Sequence, residues 1–114
     1  MATTEQVYDQ TIAAGAAIDT GVFDTRGASL VTLQIVNSDG GVSRVATLYP
    51  CREDSSQASF FGQGTATASS QKRLAYGRNF QGVGTETGWA SRMQIQIPAA
   101  GSSNCRLTVW VTRD

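Results

Sequence analysis

Two runs near the C-terminus alternate apolar and polar residues with a period of two, and this alternation constrains the fold more than any other feature. In the run 92–97 the residues on one face are Met93, Ile95 and Ile97. In the run 105–112 they are Cys105, Leu107, Val109 and Val111. A helix with 3.6 residues per turn would scatter these side chains around its axis. Each run therefore predicts a β-strand with one face in a core.

The segment 98–104 separates the two runs with Pro, Gly, Ser and Asn, residues that favour a reversal of the chain. We therefore interpret the two runs as an antiparallel hairpin. The outward face of its second strand carries Arg106, Thr108 and Trp110. A large ring that points away from a core is typical of an interface anchor. The alternative is that another part of the same chain covers the ring.

Further strands are predicted upstream of this hairpin. Ser29–Asn37 and Val42–Tyr49 form a second predicted hairpin, with a turn at 37–41 and an end at Pro50. Phe60 and Phe61 lie in a strand that begins at residue 59, where alternation sends their rings to opposite faces, so that one of the two needs cover. The Gly-rich stretch 62–88 is interpreted as a loop that binds a partner or is disordered, with one short strand at 73–76.

About six to eight strands without an amphipathic helix predict an all-β fold, namely an antiparallel two-sheet β-sandwich, of which the jelly roll is one form. A chain of 114 residues is sufficient for one domain with a sizeable core. Residues 1–10 are polar and are interpreted as an N-terminal arm, and residues 11–114 as the single sandwich domain.

The charges and the missing histidine exclude several classes of function. Nine basic and nine acidic residues cancel, so no binding to nucleic acid is predicted. No apolar run approaches the roughly 18 residues of a membrane span, and residues 1–10 lack the pattern of a secretory signal, so we expect a protein kept soluble in the cytoplasm where it is made. The chain contains no His, which excludes Ser-His-Asp and Cys-His nucleophiles and His-containing zinc sites. No cofactor and no metal are expected.

The two cysteines, Cys51 and Cys105, are interpreted as buried thiols in a reducing compartment. A single disulfide between the two sheets is the alternative.

One short motif resembles a catalytic signature. Ile18-Asp19-Thr20-Gly21 resembles the Asp-Thr-Gly of aspartic proteases, and Gly77-Arg78-Asn79 resembles the Gly-Arg-Asn that follows it in the retroviral type. The resemblance implies a homodimer in which two copies of Asp19 share one proton. A dimeric protease with Asp19 as its catalytic residue is therefore one alternative.

A longer resemblance begins at Phe23-Asp24-Thr25-Arg26-Gly27 and continues through 30–35, 45–49 and Glu53-Asp54-Ser55-Ser56. These segments resemble small structural proteins of tailed bacteriophages, in which an Asp-Thr-Arg-Gly turn leads into a strand, a second strand and an acidic or Ser-rich turn. The resemblance covers about residues 18–61. It implies a virion component, made in the host cytoplasm, that decorates or cements the capsid exterior.

We therefore hypothesise a non-enzymatic protein that bridges subunits of the major capsid protein and assembles as a homo-oligomer. The predicted interface residues are Trp110, Arg106, Thr108, Phe60, Phe61, Lys72, Arg73 and Arg78. Among them, the last three are interpreted as a basic patch that pairs with an acidic capsid surface. A carbohydrate- or receptor-binding module of a phage tail, presenting Tyr49, Tyr76 or Trp89 to a sugar, is a further alternative.

Overall fold

The computed structural model describes residues 2–58, 62–77 and 90–114. These residues form two four-stranded antiparallel sheets and contain no helix, hence none that could span a membrane. The strands are β1 (Thr3–Ile12), β2 (Ile18–Asp24), β3 (Ala28–Asn37), β4 (Arg44–Pro50), β5 (Gly62–Ala66), β6 (Gln71–Gly77), β7 (Arg92–Ile97) and β8 (Cys105–Arg113). The first sheet has the order β1-β8-β3-β6 and the second sheet the order β2-β7-β4-β5. The predicted all-β two-sheet sandwich is confirmed.

The strand pairing is that of a jelly roll. β1 pairs with β8, β2 with β7, β3 with β6 and β4 with β5, all antiparallel. The first four strands thus lie against the last four as one long hairpin that has been rolled up. Every connection passes from one sheet to the other, except the connection from β4 to β5, which stays in the second sheet. The jelly-roll form of the prediction is therefore confirmed.

The core lies between the two sheets and consists of the alternating apolar residues. Met93, Ile95 and Ile97 on β7 face it with at most 1% of their surface exposed, as do the alternate residues of β8 from Cys105 to Val111. The predicted burial of one face of each run is therefore confirmed.

Both predicted hairpins are wrong, because the strands that each was to join lie in different sheets. β7 pairs with β2 and β4, whereas β8 pairs with β1 and β3. The same holds for β3 and β4. Alternation specifies which face of a strand is buried but not its hydrogen-bonding partner. Two strands that face each other across the core satisfy the pattern as well as two neighbours in one sheet do.

The Gly-rich stretch differs in part from its prediction. The predicted strand at 73–76 lies within β6, but residues 62–66 form a further strand, β5, where a loop was predicted, and residues 78–88 lie outside the described residues. Gly62 and Gly64 occupy core-facing positions of β5. A Cβ atom on Gly62 would lie 2.5 Å from a ring carbon of Tyr76, and one on Gly64 would lie 1.6 Å from Leu74 Cδ1. β5 shows no alternation of large apolar residues, because Gly62 and Gly64 have no side chains and Tyr76 and Leu74 of β6 fill the adjoining space.

The polar N-terminal residues do not form a separate arm. Residues 3–10 belong to β1, an edge strand of the first sheet that is hydrogen-bonded along β8, with a bulge between Gln6 and Tyr8. The sandwich therefore includes residues 3–10, which were predicted to precede it as an arm.

The Asp-Thr-Arg-Gly segment forms the predicted turn between β2 and β3. The Asp24 carboxylate accepts the backbone N–H of Arg26 at 2.8 Å and pairs with its guanidinium at 2.9 Å. Gly27 has a φ of 71°, a left-handed conformation that glycine adopts without a steric penalty. Thr25 is buried, and its hydroxyl donates to the carbonyl of Ala90 at 2.6 Å. The motif thus has a structural role at this end of the sandwich.

Asp39 joins two loops at the opposite end. Its carboxylate accepts backbone N–H groups of Gly41 and Val42 in its own loop, at 2.8 and 3.1 Å. It also accepts the N–H of Ser102 in the loop between β7 and β8, at 2.9 Å. These hydrogen bonds, that from Ser102 first, lower the pKa of Asp39 to about 2.

We expect Asp39 to contribute to the acid sensitivity of the fold. Its pKa is about 2 in the folded chain and roughly 3.9 in an unfolded one, so its stabilising effect is complete above about pH 4 and is lost as the pH falls towards 2. Melting curves between pH 5 and pH 2 should fall less steeply for Asp39→Asn than for the parent, and Asp39→Asn should melt lower at pH 7. Glu53→Gln controls for the loss of one negative charge. If the melting temperatures of Asp39→Asn and the parent fall equally between pH 5 and pH 2, Asp39 does not contribute to the acid sensitivity.

Candidate interaction face

The outer face of the first sheet brings together several predicted interface residues. On β8 the outward residues are Arg106, Thr108, Trp110 and Thr112. Trp110 lies opposite Gln6 of β1 and Thr32 of β3, and the next residue in this row is Ala75 of β6. We call this surface the Trp110 face.

Trp110 is half-buried within a central strand of the sheet. The guanidinium carbon of Arg73 lies 4.9 Å from the centroid of its ring, a cation–π contact. Arg73 is in register with Gln34 of β3, one row away, and reaches the ring diagonally. An arginine of the same chain therefore covers part of the ring, while the rest borders a shallow groove.

The groove has a volume of about 140 Å³ and is bounded by three strands. Its lining residues are Gln6, Gln34, Val36, Arg106, Thr108 and Trp110. Amide, hydroxyl and guanidinium groups thus surround one aromatic ring. Such a lining can form hydrogen bonds to a partner and can bury a flat apolar group against the indole.

Asp9 of the edge strand β1 orients the polar side of the groove. Its carboxylate accepts two hydrogen bonds from Arg106, through Nε and Nη2, both at 2.8 Å. It also accepts the hydroxyl of Thr108 at 3.0 Å. The hydrogen bond from Arg106 is the main cause that lowers the pKa of Asp9 and raises the pKa of Arg106. A bidentate pair of this kind holds the guanidinium plane in one orientation.

The predicted interface residues divide into three groups. Arg73, Arg106, Thr108 and Trp110 meet on the Trp110 face. Lys72 does not, because it lies opposite the core-facing Ile35 and so occupies the other face of β6, with an exposed side chain. Phe60, Phe61 and Arg78 lie outside the described residues. Lys72 and Arg73, two of the three residues of the predicted basic patch, therefore do not share a face, since neighbouring strand residues point to opposite faces.

The residues offered for sugar binding do not meet in one place either. Tyr76 is buried in the core with 6% of its surface exposed. Tyr49 is half-buried and faces outward from the second sheet, in register with Gln94. Trp89 lies outside the described residues.

Gln6, Asp9 and Gln34 also belong to this surface, but they were not predicted from the sequence. Gln6 and Asp9 belong to β1, which was interpreted as an arm. The available signal was the polar alternation of β3, because Thr32 and Gln34 face outward between buried residues. Only the register with β8 brings these residues beside Trp110.

The structure places Asp19, the catalytic residue of the protease alternative, in a hydrogen-bond network within its own chain. It lies in β2 at a bulge between residues 19 and 22. Its carboxylate accepts the side-chain amides of Gln94 and Gln96 at 2.7 and 2.9 Å and the N–H of Gly21 at 2.8 Å. Partial burial raises the pKa of Asp19, but these three hydrogen bonds outweigh burial and the pKa is lowered.

The cysteines and acidic residues of segments 2–58, 62–77 and 90–114 do not form a metal-binding cluster. Among the described residues, no group of three or more acidic or Cys side chains is placed to hold a metal ion. Cys51 and Cys105 are both buried free thiols, as the favoured interpretation predicted. Burial raises the pKa of both thiols, so both are protonated at neutral pH.

Comparison with known proteins adds information on the fold. No protein-family model matches the sequence, and no curated protein matches it. Solved structures do. The SPBc2 prophage-derived protein YomS superposes with a TM-score of 0.60 and 12% identity, over 98% of this chain and 93% of that chain.

Two further structures share the fold. The Yersinia pseudotuberculosis-derived mitogen has a TM-score of 0.55 and 11% identity, over 100% of this chain and 86% of its own. PirA has a TM-score of 0.54 and 11% identity, over 91% of each chain. At such identities the likeness establishes the fold alone. Because one of these proteins derives from a prophage and another is a mitogen, function has to be argued from the surfaces of this chain.

Proposed function

We propose that this protein is a non-enzymatic structural component of a virion, a decoration or cement protein that binds the capsid surface and bridges subunits of the major capsid protein. The observation that carries the proposal is Trp110, an indole on the outer face of a regular sheet, next to a groove lined by polar groups. Rings in such positions contribute strongly to binding when a partner covers them.

Two further findings support the proposal. The segments between residues 23 and 56 resemble small structural proteins of tailed phages, and the Asp24–Gly27 turn that begins this resemblance is formed. The fold is shared with a prophage-derived protein along nearly the whole of both chains. A jelly roll has two broad sheet faces, which suits a protein that acts by packing between neighbours.

The Trp110 face gives the proposal a mechanism. Contact with the capsid or with a second copy would complete the burial of the indole, while Arg73 and Arg106 provide planar guanidinium groups that form hydrogen bonds at interfaces more readily than lysine does. Assembly as a homo-oligomer belongs to the same proposal. Phe60, Phe61 and Arg78 remain predicted contributors.

We expect Trp110→Ala to weaken capsid binding by more than about 2 kcal/mol, roughly 30-fold in affinity. The melting temperature should change less than binding does, because the ring lies on the outer face of the sheet and not in the core, and its cation–π contact with Arg73 is worth about 0.5 to 1 kcal/mol. Binding is measured by co-sedimentation with capsids assembled from a major capsid protein of the same genome, and self-association by light scattering.

Tyr49→Ala is the matched control, since Tyr49 is a half-buried aromatic on a central strand of the opposite sheet. It should bind capsids like the parent. Equal losses of capsid affinity in Trp110→Ala and Tyr49→Ala would contradict the role of the Trp110 face. A large loss of monomer stability in Trp110→Ala would contradict it as well.

The lining of the groove also favours a second candidate, a carbohydrate-binding module. Sugars are bound by aromatic rings beside planar polar groups, and Trp110 lies beside Gln6, Gln34 and Arg106. A glycan array distinguishes the two candidates. Glycan binding that Trp110→Ala abolishes, without capsid binding by the parent, would replace the structural role with this one.

A further inference from the structure

A second surface lies at the edge of the other sheet, where β2 begins and β7 ends. A cleft of about 330 Å³ opens there. Its lining residues are Ala17, Ile18, Asp19, Gln96, Ile97 and Pro98. Four of these six are apolar, and Ile18 and Ile97 are buried to within 1%. Ala17 and Pro98 therefore provide the exposed apolar surface of the cleft, and one carboxylate and one amide lie at its rim.

The carboxylate of Asp19 is ionised, and none of the Arg and Lys side chains that the structure describes forms a salt bridge with it. Its hydrogen-bond donors are the amides of Gln94 and Gln96 and the N–H of Gly21, and all three are neutral. They lower the pKa of Asp19 against the effect of partial burial, so the group carries its charge at neutral pH. No salt bridge of Asp19 occurs in the part of the chain that the structure describes.

Three other carboxylates of this protein pair with an arginine. Asp9 pairs with Arg106 at 2.8 Å, Asp24 with Arg26 at 2.9 Å, and Glu5 with Arg113 at 3.4 Å. Asp39 resembles Asp19 in having neutral donors, but its donors are backbone N–H groups that join two loops. Asp19 lies beside a cleft with glutamine amides as partners, and among the described residues no side chain of opposite charge pairs with it.

Gln96 provides a second acceptor at the same rim. Its Nε2 donates to Asp19 Oδ2, and this orientation is required, because an amide oxygen facing the carboxylate would be repelled. Its Oε1 is therefore directed away from Asp19. In Gln94 the corresponding oxygen accepts the amide of Gln57 at 3.3 Å. The rim thus offers a carboxylate and an amide oxygen as acceptors.

We propose that this cleft binds an arginine side chain of a partner protein. The guanidinium donates to Asp19 and to Gln96 Oε1, and its methylene groups lie against Ala17 and Pro98, the exposed apolar residues of the cleft. Arginine fits better than lysine because its planar fork places several N–H groups toward two adjacent acceptors while its stem packs on apolar surface. The Asp-Thr-Gly motif then serves binding and not proteolysis.

This inference is independent of the proposed function, since the cleft belongs to the second sheet and shares no residue with the Trp110 face. Its test uses the whole protein and three probes of one size. Acetyl-arginine methylamide, acetyl-citrulline methylamide and acetyl-lysine methylamide with a free side-chain amine are titrated into the ¹⁵N-labelled protein. The amide shifts are followed by NMR.

We expect the arginine probe to produce saturable shifts at residues 17–19 and 96–97. Citrulline has the same shape without the charge and should bind at least tenfold more weakly, and lysine should lie between the two. Citrulline that binds as well as arginine, or arginine shifts confined to other acidic residues, would overturn the proposal.

Three variants make the test specific. Asp19→Asn should weaken binding of the arginine probe at least tenfold. Asp24→Asn, which removes a carboxylate that is already paired with Arg26, should leave binding at the cleft unchanged. Ala17→Arg keeps the carboxylate and its glutamines intact and tethers a guanidinium beside them, since Ala17 is exposed on the cleft wall. It should abolish binding of the free probe even if Asp19→Asn does not fold. Unimpaired binding by Ala17→Arg would contradict the proposed site.

Discussion

Gly15→Ala is expected to reduce the free energy of unfolding by about 4 kcal/mol, at the upper end of the range for single substitutions. Gly15 has a φ of 68°, and a Cβ atom there would lie 2.2 Å from the carbonyl oxygen of Gly101. This oxygen belongs to the backbone and cannot move aside as a side chain can. The two loops are also held together by hydrogen bonds from Gly15 N–H to Ser103 and from Ala100 N–H to Gly15, both at 3.0 Å. Adding one methyl group must therefore separate the β1–β2 loop from the β7–β8 loop.

Gly27→Ala separates the steric clash from the backbone penalty. Gly27 has nearly the same φ, 71°, but a Cβ atom there would meet nothing within 4 Å. Its replacement should cost only about 1 to 2 kcal/mol, the usual penalty of a left-handed residue. Urea unfolding of the two variants measures the difference. Equal losses would mean that the loops adjust to the added methyl group.

Arg44→Ala is expected to have the second largest effect, a loss of about 3 to 4 kcal/mol. Arg44 begins β4 and is 1% exposed, and it is among the largest fully buried side chains of the described residues. Its guanidinium donates to the carbonyls of Ala16 at 2.8 Å and Ala100 at 3.3 Å, while its Nε has no partner. Truncation would leave a cavity and remove the donors of both carbonyls.

Arg44→Met distinguishes the contribution of the stem from that of the charge. Methionine fills most of the volume of the arginine stem and removes a buried cation with which none of the described carboxylates forms a salt bridge. We expect this variant to lie within about 1 kcal/mol of the parent by urea unfolding. If methionine is as harmful as alanine, the two hydrogen bonds of the guanidinium, and not the packing of its stem, hold this end of the sandwich together.

The core could be predicted only in part, because some of its positions carry a charged side chain or no side chain. The strands β3, β7 and β8 were predicted because their apolar residues recur at every second position. Arg44 was not assigned to the core, since a charged residue is seldom fully buried. Gly62 and Gly64 face the core without a side chain, so they carry no alternation that a sequence analysis could detect.

The candidate surfaces were predictable to different degrees. The outward position of Trp110 follows from the alternation of β8 alone. Its neighbours Gln6 and Asp9 do not, because a polar edge strand lacks the apolar residues that identify a strand. The cleft at Asp19 required the register of β2 with β7, which places Gln94 and Gln96 beside a residue more than seventy positions earlier in the chain.

The amino-acid sequence by itself determined the fold class, the buried face of each well-patterned strand, the turn at Asp24–Gly27 and the end of β4 at Pro50. These properties depend on neighbouring residues, through the two-residue period of a strand, the conformation of glycine and the missing N–H of proline. Only the tertiary structure decided which strands pair. Backbone hydrogen bonds are chemically the same for every strand, and the choice of partner depends on how the loops cross the sandwich and how the two sheets fill the space between them.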